Sequence, residues 1–463
     1  MDYNCDKNLP FHECELAILR NAVDKAEDIK GFKMANSPEI KAIISIVEDF
    51  IKKRKLICYG GTAINNILPE EDQFYDKEKE IPDYDFLSTN AVNHAKELAD
   101  IYNKLGYTEV EAKAGVHFGT YKVFVNYIPI ADITQINDAM FKTLQKEAKK
   151  VKNILYLPPN MLRLNMYLEL SRPAGDISRW EKVLKRLTLL NKNYPLKTTN
   201  CDYNFFARKM EEKKTTNKDL FELLRDTLIG FNVVFFGGFA SNVFSDYMNK
   251  TSRKAIKANP DFDVLSNNAK NDAEKLVNIL KKNGIENISI KKHSNLDEYI
   301  PVHYEIKIGK DTISFIYQTV ACYNYNIINV NGKKAKIATI DTMLSLLLAF
   351  VYANRDYYDK DRILCMAHFL FKIQQKNRLS QKGPLKRFSI NCYGEQATKE
   401  SIKAEKNKKF EELKNDRNTK EWELWFLNYK PNNKAKKTRK NTSKRSNKTI
   451  KNSIRKLLKP IIK

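Results

Sequence analysis

The sequence predicts a mixed α/β protein in which one folding unit occurs twice, with flanking helices and a disordered basic tail. Two observations predict it: short apolar runs of strand length alternate with helical segments, and a block of the chain is repeated. The chain has 463 residues, of which 42% are hydrophobic, enough to form cores and to exclude global disorder. Its net charge of +25 favours a polyanionic partner such as nucleic acid.

The repeat lies in two segments that align without gaps. Residues 82–106, which begin PDYDFLS, and residues 260–284, which begin PDFDVLS, share 13 identities over 25 positions. Upstream of each segment an apolar run ends in Gly-Gly, which is typical of a buried strand entering a tight turn before a helix. Each half of the chain is therefore expected to contain the same α/β unit.

The repeat and the shifts in composition divide the chain into five parts. The last of them is rich in Lys, Asn, Ser and Thr, and residues 434–463 hold 13 Lys or Arg and no acidic residue. Such a segment cannot bury enough apolar surface to order itself, and it is expected to grip RNA or to act as a nuclear-targeting signal. The parts are an N-terminal helical region (1–50), a first α/β domain that carries the chemistry (51–195), a helical connector (196–230), a degenerate second copy with C-terminal helices (231–430) and the tail (431–463).

Asp83 and Asp85 carry the first sign of chemistry. They are two residues apart on an alternating strand, so both carboxylates face the same side, with Cα atoms about 7 Å apart. Crowded carboxylates repel each other unless a cation lies between them, and hard oxygen ligands suit Mg²⁺ or Mn²⁺. Asp132, between apolar residues of the IPIADIT strand, is the expected third carboxylate, because a lone buried Asp would be costly.

The Gly-Gly turn supplies the second half of a site. Gly60, Gly61 and Thr62 open a predicted helix, and glycines allow a backbone to approach a phosphate closely while a helix N-terminus presents free N–H groups. A phosphate cradle beside paired carboxylates indicates phosphoryl or nucleotidyl transfer.

These motifs resemble a known family. Gly-Gly-Thr, Asp-x-Asp and a distant single Asp form the pattern of the DNA polymerase beta-like nucleotidyltransferase superfamily. More closely, YGGTAIN, PDYDFLS and LELSRPAGDISRWEKVLKRL resemble the poly(A) polymerase catalytic subunit of poxviruses and giant or other large DNA viruses, over roughly residues 40–360. The chain departs from the wider superfamily in the 21 residues from Thr62 to Pro82, which we interpret as a surface insertion.

The resemblance implies a template-independent poly(A) polymerase that adds AMP from ATP to the 3′-OH of mRNA and releases pyrophosphate. Two Mg²⁺ or Mn²⁺ ions would be held by Asp83, Asp85 and Asp132. The triphosphate would be bound by the Gly-Gly-Thr turn and by a basic helix face: Gly60, Gly61, Thr62, Arg179, Lys182, Lys185 and Arg186. The same helix face is equally consistent with a solvated surface.

The second copy keeps Asp261 and Asp263 but has no carboxylate in residues 312–323, the region that matches Asp132. It is therefore expected to be a structural remnant, with at most weak cation binding. Two alternatives to the poly(A) polymerase stay open: another terminal ribonucleotidyltransferase, adding uridine or making oligoadenylate, and a noncatalytic RNA-binding scaffold.

The remaining expectations concern surroundings and partners. Seven scattered cysteines, none in a C-x-x-C pair, argue against a disulfide framework and for a reducing compartment. No apolar run reaches the ~20 residues of a membrane span, so no membrane partner is expected. The resemblance implies action in the host cytoplasm, at a viral factory, with the virion as a further site, and a partner that is a second copy of the chain or a viral processivity subunit.

Overall fold

The computed structural model describes residues 10–198, 201, 208, 210, 218–247, 261–297 and 299–431. Short 3₁₀ turns cover Glu70–Asp72, Ile177–Arg179, Phe244–Tyr247 and Gly383–Leu385. Within the described ranges, every helix is too short or too polar to cross a membrane. The helices are α1 (Phe11–Ala35), α2 (Pro38–Arg54), α3 (Gly60–Ile67), α4 (Ala91–Lys104), α5 (Asp138–Glu147), α6 (Pro159–Leu170), α7 (Trp180–Asn193), α8 (Lys218–Gly230), α9 (Gly237–Val243), α10 (Ala269–Lys282), α11 (Ile340–Tyr352), α12 (Lys360–Lys376), α13 (Lys399–Leu413) and α14 (Lys420–Phe426).

The strands form two sheets of eight. The first has the order β16-β3-β4-β5-β2-β1-β7-β6, and the second has the order β10-β11-β12-β9-β8-β14-β13-β15. Their bounds are β1 (Ile57–Tyr59), β2 (Tyr84–Ser88), β3 (Val110–Ala114), β4 (Thr120–Val125), β5 (Ile128–Gln135), β6 (Lys149–Val151), β7 (Ile154–Tyr156), β8 (Val234–Phe236), β9 (Phe262–Ser266), β10 (Ile288–His293), β11 (His303–Ile308), β12 (Asp311–Gln318), β13 (Tyr323–Val330), β14 (Lys333–Ala338), β15 (Cys392–Tyr393) and β16 (Asn428–Tyr429).

The two sheets are built from the same unit, as the repeat predicts. Seven strands of the two sheets correspond in position. The order β3-β4-β5-β2-β1-β7-β6 of the first sheet matches the order β10-β11-β12-β9-β8-β14-β13 of the second. The pairing directions also agree: β2 and β5 are parallel, as are β9 and β12, while β1 and β2 are antiparallel, as are β8 and β9. The expected mixed α/β fold with a duplicated unit is confirmed.

Local sequence explains the elements around the repeat. In α4 and α10 the apolar residues recur at helical spacing and are buried against their sheets. Both helices end just before a glycine with positive φ, Gly106 at 104° and Gly284 at 77°, the left-handed conformation that favours this residue. The alternation of β4 is equally regular, with Tyr121, Val123 and Val125 buried and the residues between them partly exposed.

The two copies pack against each other through equivalent helices. α6 follows β7 in the first copy, α11 follows β14 in the second, and these two helices lie in contact. At this interface Tyr167 of α6 donates a hydrogen bond to Gln374 of α12, with both side chains buried. One hydrophobic core runs through both copies, because residues of both sheets and of these helices belong to the same buried cluster.

The chain returns to the first sheet at its described end. β16 pairs with β3 through Asn428 and Tyr429, and α14 lies against the same strand. The division by sequence placed the C-terminal helices with the second copy, whereas this pairing places the last of them on the first. Local pattern could not foresee it, because the contacts join residues more than 300 positions apart.

Two cysteine pairs correct the expectation of free thiols. Cys201 and Cys365 form one disulfide with Cα atoms 5.1 Å apart, and Cys322 and Cys392 form another with Cα atoms 5.3 Å apart. The paired cysteines are 164 and 70 residues apart in the sequence, so local cysteine spacing could not predict that they pair. The basic tail expected over 431–463 lies outside the described residues, apart from Pro431.

Candidate active site

The site begins at the turn between β1 and α3. Gly60 has a φ of 74°, and a Cβ added there would overlap a carboxylate oxygen of Asp85. A Cβ on Gly61 would overlap the hydroxyl of Tyr75 and lie 2.9 Å from a guanidinium nitrogen of Arg186. The positive φ favours glycine at position 60, whereas a side chain at position 61 would force Tyr75 and Arg186 to move away from the turn.

Thr62 fixes the turn to the acidic strand. Its hydroxyl donates a hydrogen bond of 2.7 Å to the backbone oxygen of Asp83, and its side chain is buried. The sequence suggested Thr62 as a triphosphate contact, but this hydroxyl is already engaged in holding the Gly-Gly turn against β2.

The three predicted carboxylates lie together on neighbouring strands. Asp85 on β2 and Asp132 on β5 are direct partners in the parallel register. Strands so paired are about 4.8 Å apart, and their partner side chains point to the same face. Asp83 lies two residues before Asp85, immediately ahead of β2, and strand alternation puts it on the same face.

Crowding perturbs two of these groups. Burial and the charge of Asp132 raise the pKa of Asp83. Burial, followed by the charges of Asp83 and Asp132, raises the pKa of Asp85 to about 7. A site that holds several carboxylates so close together favours a bound cation, because the charged forms repel one another in its absence.

Lys122 supplies one positive charge at this place. It lies on β4 directly across from Asp132, and its ammonium group pairs with that carboxylate. Across the part of the chain that the structure describes, no three His, Cys, Asp or Glu side chains form a ready-made metal group. The donor set still fits a hard divalent ion, since three carboxylates share one face and two of them have raised pKa values.

The basic helix α7 and the turn before it divide their charges between the site and solvent. Arg179 pairs with Glu169 at 3.0 Å and is close enough to lower the pKa of Asp85, although burial outweighs it. Lys185 is 73% exposed and pairs with Glu181, so it stands apart from the others. Arg186 donates a hydrogen bond of 2.7 Å to the hydroxyl of Tyr75, above the Gly-Gly turn.

The acidic insertion packs onto the site and is not a loose surface loop. The amide of Asn65 in α3 anchors it, because its oxygen accepts hydrogen bonds from the backbone N–H groups of Phe74 and Tyr75 at 2.8 and 2.9 Å. The guanidinium of Arg186 lies over the Phe74 ring at 4.8 Å. The insertion therefore covers the Gly-Gly turn. Its acidic composition had indicated only a surface segment.

A cavity of about 990 Å³ opens beside these groups. Its lining includes Thr62 and Asp83 from the site, Tyr75 from the insertion and Lys182 from α7. The cavity is thus large enough for a nucleotide, and Thr62, Asp83 and Lys182 are the predicted site residues that line it.

The second copy keeps the same frame with different contents. Gly237 has a φ of 74°, and a Cβ there would overlap a carboxylate oxygen of Asp263, as at the first turn. In the register of β9 and β12, however, the partner of Asp263 is Phe315, which stands where Asp132 stands in the first copy. The position of the third carboxylate is apolar.

Two arginines occupy the space beside the second pair of aspartates. Arg208 donates to Asp261 at 2.6 Å and to Asp263 at 3.3 Å, and its guanidinium lies 4.4 Å from the centre of the Phe315 ring. Arg362 of α12 also pairs with Asp261. These guanidinium groups lower the pKa of Asp261, whereas burial and Asp261 raise that of Asp263. Protein cations already balance the charges of this pair, so the weak cation binding allowed by the sequence is not needed.

Sequence reasoning missed four contributors to these sites: Lys122, Tyr75, Arg208 and Arg362, the last of them 101 residues from its partner Asp261. Lys122 was signalled only by its place on a strand next to Asp132, and Tyr75 only by its place in the insertion. Arg208 is 53 residues from Asp261, and no local pattern connects them.

The duplicated sheet, the Gly-Gly turn and the acidic strand are the features that the resemblance to nucleotidyltransferases implied. Residues 45–176 match the family described as "Poly(A) polymerase catalytic subunit", and this segment contains the turn and all three carboxylates. The resemblance expected from the motifs is thereby confirmed.

The relatives come from large DNA viruses. A proposed poly(A) polymerase catalytic subunit of African swine fever virus is 33% identical over 180 residues, which are 38% of this chain and 38% of that protein. A protein of the same description from Acanthamoeba polyphaga mimivirus is 25% identical over 422 residues, 81% of this chain and 70% of that one. The match thus spans well under half the length of the swine fever virus relatives.

A solved structure shares the fold. The crystal structure of the Megavirus polyadenylate synthase superposes with a TM-score of 0.75 at 21% identity, covering 89% of this chain and 86% of that one. The likeness therefore extends through both copies of the unit.

Proposed function

We propose that this protein is a template-independent poly(A) polymerase that transfers AMP from ATP to the 3′-OH of mRNA and releases pyrophosphate. One observation carries the proposal: the first copy keeps three carboxylates on adjoining strands beside a Gly-Gly turn, while the second has lost the third. Selective retention is expected of a working centre and has no structural reason, because a buried acidic cluster is costly. The viral relatives support the same reading.

Asp83, Asp85 and Asp132 would hold the two Mg²⁺ or Mn²⁺ ions that the family implies. When bound, these ions would neutralise the phosphate charge and ease ionisation of the attacking hydroxyl. In the proposed step, the 3′ oxygen of the RNA forms a bond to the α-phosphorus of ATP, and the bond from that phosphorus to the bridging oxygen of pyrophosphate breaks. The carboxylate of Asp132 would help to take the hydroxyl proton.

The residues around the cavity would bind and orient ATP. The turn at Gly60 and Gly61 would let the backbone approach a phosphate, and Thr62 at the end of that turn lines the cavity together with Lys182. Tyr75 and Arg186 together close the turn from above. The proposed place of action is the host cytoplasm and the virion, with a second copy of this chain or a processivity subunit as the proposed partner.

Extension of a labelled RNA primer with each nucleoside triphosphate alone tests the proposal. Long products with ATP only are expected. Efficient extension with UTP, or short 2′-linked products from ATP without a primer, would support a different ribonucleotidyltransferase. Tight RNA binding with no extension under Mg²⁺ or Mn²⁺ would support the noncatalytic scaffold.

A further inference from the structure

A second cavity lies away from the predicted catalytic groups, where three parts of the chain meet. Its volume is about 600 Å³, within the range of small-molecule sites. Residues 116–118 of the β3–β4 turn of the first copy form one wall, Asn295, Asp297, Pro301, Val302, Gln318 and Val320 of the second copy form another, and residues of helices α13 and α14 form the third. We name it the junction cleft.

The rim of the junction cleft is apolar and open to solvent. Phe118 is 55% exposed, and Val116 and Val320 are exposed to a similar degree. The ring of Phe118 lies against that of Trp425, with centroids 4.4 Å apart and planes at 38°. Apolar groups from both copies are thus gathered at one opening, an arrangement that marks an interaction site more often than a solvated surface.

Two residues that line the cleft each carry a buried polar atom without a hydrogen-bond partner in the part of the chain that the structure describes. Among the described residues, neither the side-chain oxygen of Gln396 nor Nε of Arg172 makes a hydrogen bond, although both atoms are shielded from solvent. Both residues line the junction cleft. Buried polar atoms left without partners are rare and call for an explanation, and a bound ligand that offers one donor and one acceptor would supply it.

The cleft is connected to the predicted catalytic carboxylates. Phe118 precedes Lys122 by four residues along the turn and β4, which corresponds to about 13 Å of extended chain. Lys122 pairs with Asp132. On the other side, the charge of Arg172 acts on Glu169, which pairs with Arg179 beside Asp85. A strand of RNA with its 3′ end at the carboxylates would reach the cleft a few nucleotides upstream.

We propose that the junction cleft binds one unstacked base of the RNA primer, upstream of its 3′ end. The ligand chemistry follows from the wall: a flat ring stacks on the exposed face of Phe118, and its polar edge meets Gln396 and Arg172. Unpaired bases are recognised in this way, by an aromatic platform and side chains on their edges. The inference rests on the proposed function for its assignment of RNA.

The first test compares two aromatic residues at opposite ends of β4. Phe118→Ala removes the platform, and Tyr127→Ala removes a ring of equal exposure, 56%, at the far turn. Binding of a labelled single-stranded RNA to the full chain is followed by fluorescence anisotropy at fixed salt. Loss of one base–aromatic stack should weaken binding about tenfold in the Phe118 variant. The Tyr127 variant should match the parent, and KM for ATP should be unchanged in both.

The second test locates the base. A set of RNA primers is made, each with one abasic site at a different position near the 3′ end. The affinity of each primer is measured for the parent protein and for the Phe118→Ala and Gln396→Leu variants. One position should weaken binding to the parent by the same factor as the Phe118 change, and the two losses should not add, because both remove one stack. Equal affinities of the Phe118 and Tyr127 variants, or additive losses at every position, would overturn the proposal.

The outcomes separate the cleft from the catalytic proposal. If no nucleotide is added by the parent protein but RNA binding still depends on Phe118, the polymerase assignment fails and the base site stands. If ATP is added normally and Phe118→Ala changes neither RNA affinity nor the KM for the primer, the base site fails and the polymerase assignment stands.

Discussion

Both sheets carry two aspartates at the same place, at the start of β2 and at the start of β9, beside a glycine with a φ of 74°. In the first copy a third carboxylate, Asp132, joins them, and the pKa of Asp85 rises to about 7. In the second copy Phe315 takes that position, and two arginines pair with the aspartates. The same fold thus carries a crowded group of three carboxylates in the first copy and a pair of aspartates neutralised by arginines in the second.

The difference between the two copies shows how a fold can keep two buried aspartates without the third carboxylate, because arginines compensate their charges. Removing one carboxylate alone would leave two buried charges without compensation, at a cost of several kcal/mol. Arg208 and Arg362 restore balance with permanent charges, and Arg208 also stacks on the phenylalanine that replaced the acid. In the second copy both aspartates therefore form ion pairs within the protein. The proposed catalytic centre is accordingly in the first copy.

The largest difference between the copies is expected when one carboxylate of each is replaced by an amide and the rate of primer extension is measured. Asp85→Asn should reduce primer extension by at least about 10³-fold, because several kcal/mol of charge stabilisation depend on this group. The isosteric Asp263→Asn in the second copy should retain the parent rate per folded molecule. Single-turnover rates at saturating ATP and RNA measure both, and comparable rate losses in the two variants would contradict the division of roles.

Stability should show the reverse order. Asp261→Ala removes the carboxylate that the buried Arg208 and Arg362 share and should lower the free energy of unfolding by about 3–5 kcal/mol. Asp85→Ala removes a group that its neighbours repel and should change it by less than about 1 kcal/mol. Chemical denaturation without added metal compares the two, and a larger loss at Asp85 would refute the interpretation.

The raised pKa of Asp85 sharpens the comparison through pH. Below pH about 7 this carboxyl holds a proton that an entering cation must displace, so Mn²⁺ affinity should fall about tenfold per pH unit, and above pH 7 it should level off. Calorimetric titration from pH 5.5 to 8 measures this slope. The Asp85→Asn variant should bind weakly with no such step, and an unchanged step in that variant would assign the proton elsewhere.

Two lysines on α7 offer the mildest contrast. Lys182→Ala should raise the KM for ATP roughly tenfold, since a charge-assisted contact in the cavity is lost. Lys185→Ala, three residues away on the exposed face beside Glu181, should leave KM unchanged. Steady-state assays with varied ATP compare them, and equal effects would mean that the whole face of the helix contacts the substrate.

The sequence alone predicted the fold and the positions of the carboxylates better than the side-chain contacts around them. The repeat, the Gly-Gly turns and the acidic strands are local patterns, so the duplicated fold followed directly, and the strand context of Asp132 indicated a place beside Asp85. Arg208 could not be inferred, because its partner is 53 residues away and the segment between them has no pattern that joins them. The closing role of the insertion was hidden for a related reason, since Asn65 and Arg186 hold it from opposite ends of the domain.

The pairing of β16 with β3 has a consequence for shortened forms of the protein. Asn428 and Tyr429 cover the outer edge of the first sheet. A chain that stopped before them would leave the N–H and C=O groups of β3 facing solvent, where they can template pairing with another molecule. Forms cut back to about residue 400 should therefore aggregate in solution, while those that end just past residue 431 should not, because the last described strand protects the edge of the first sheet.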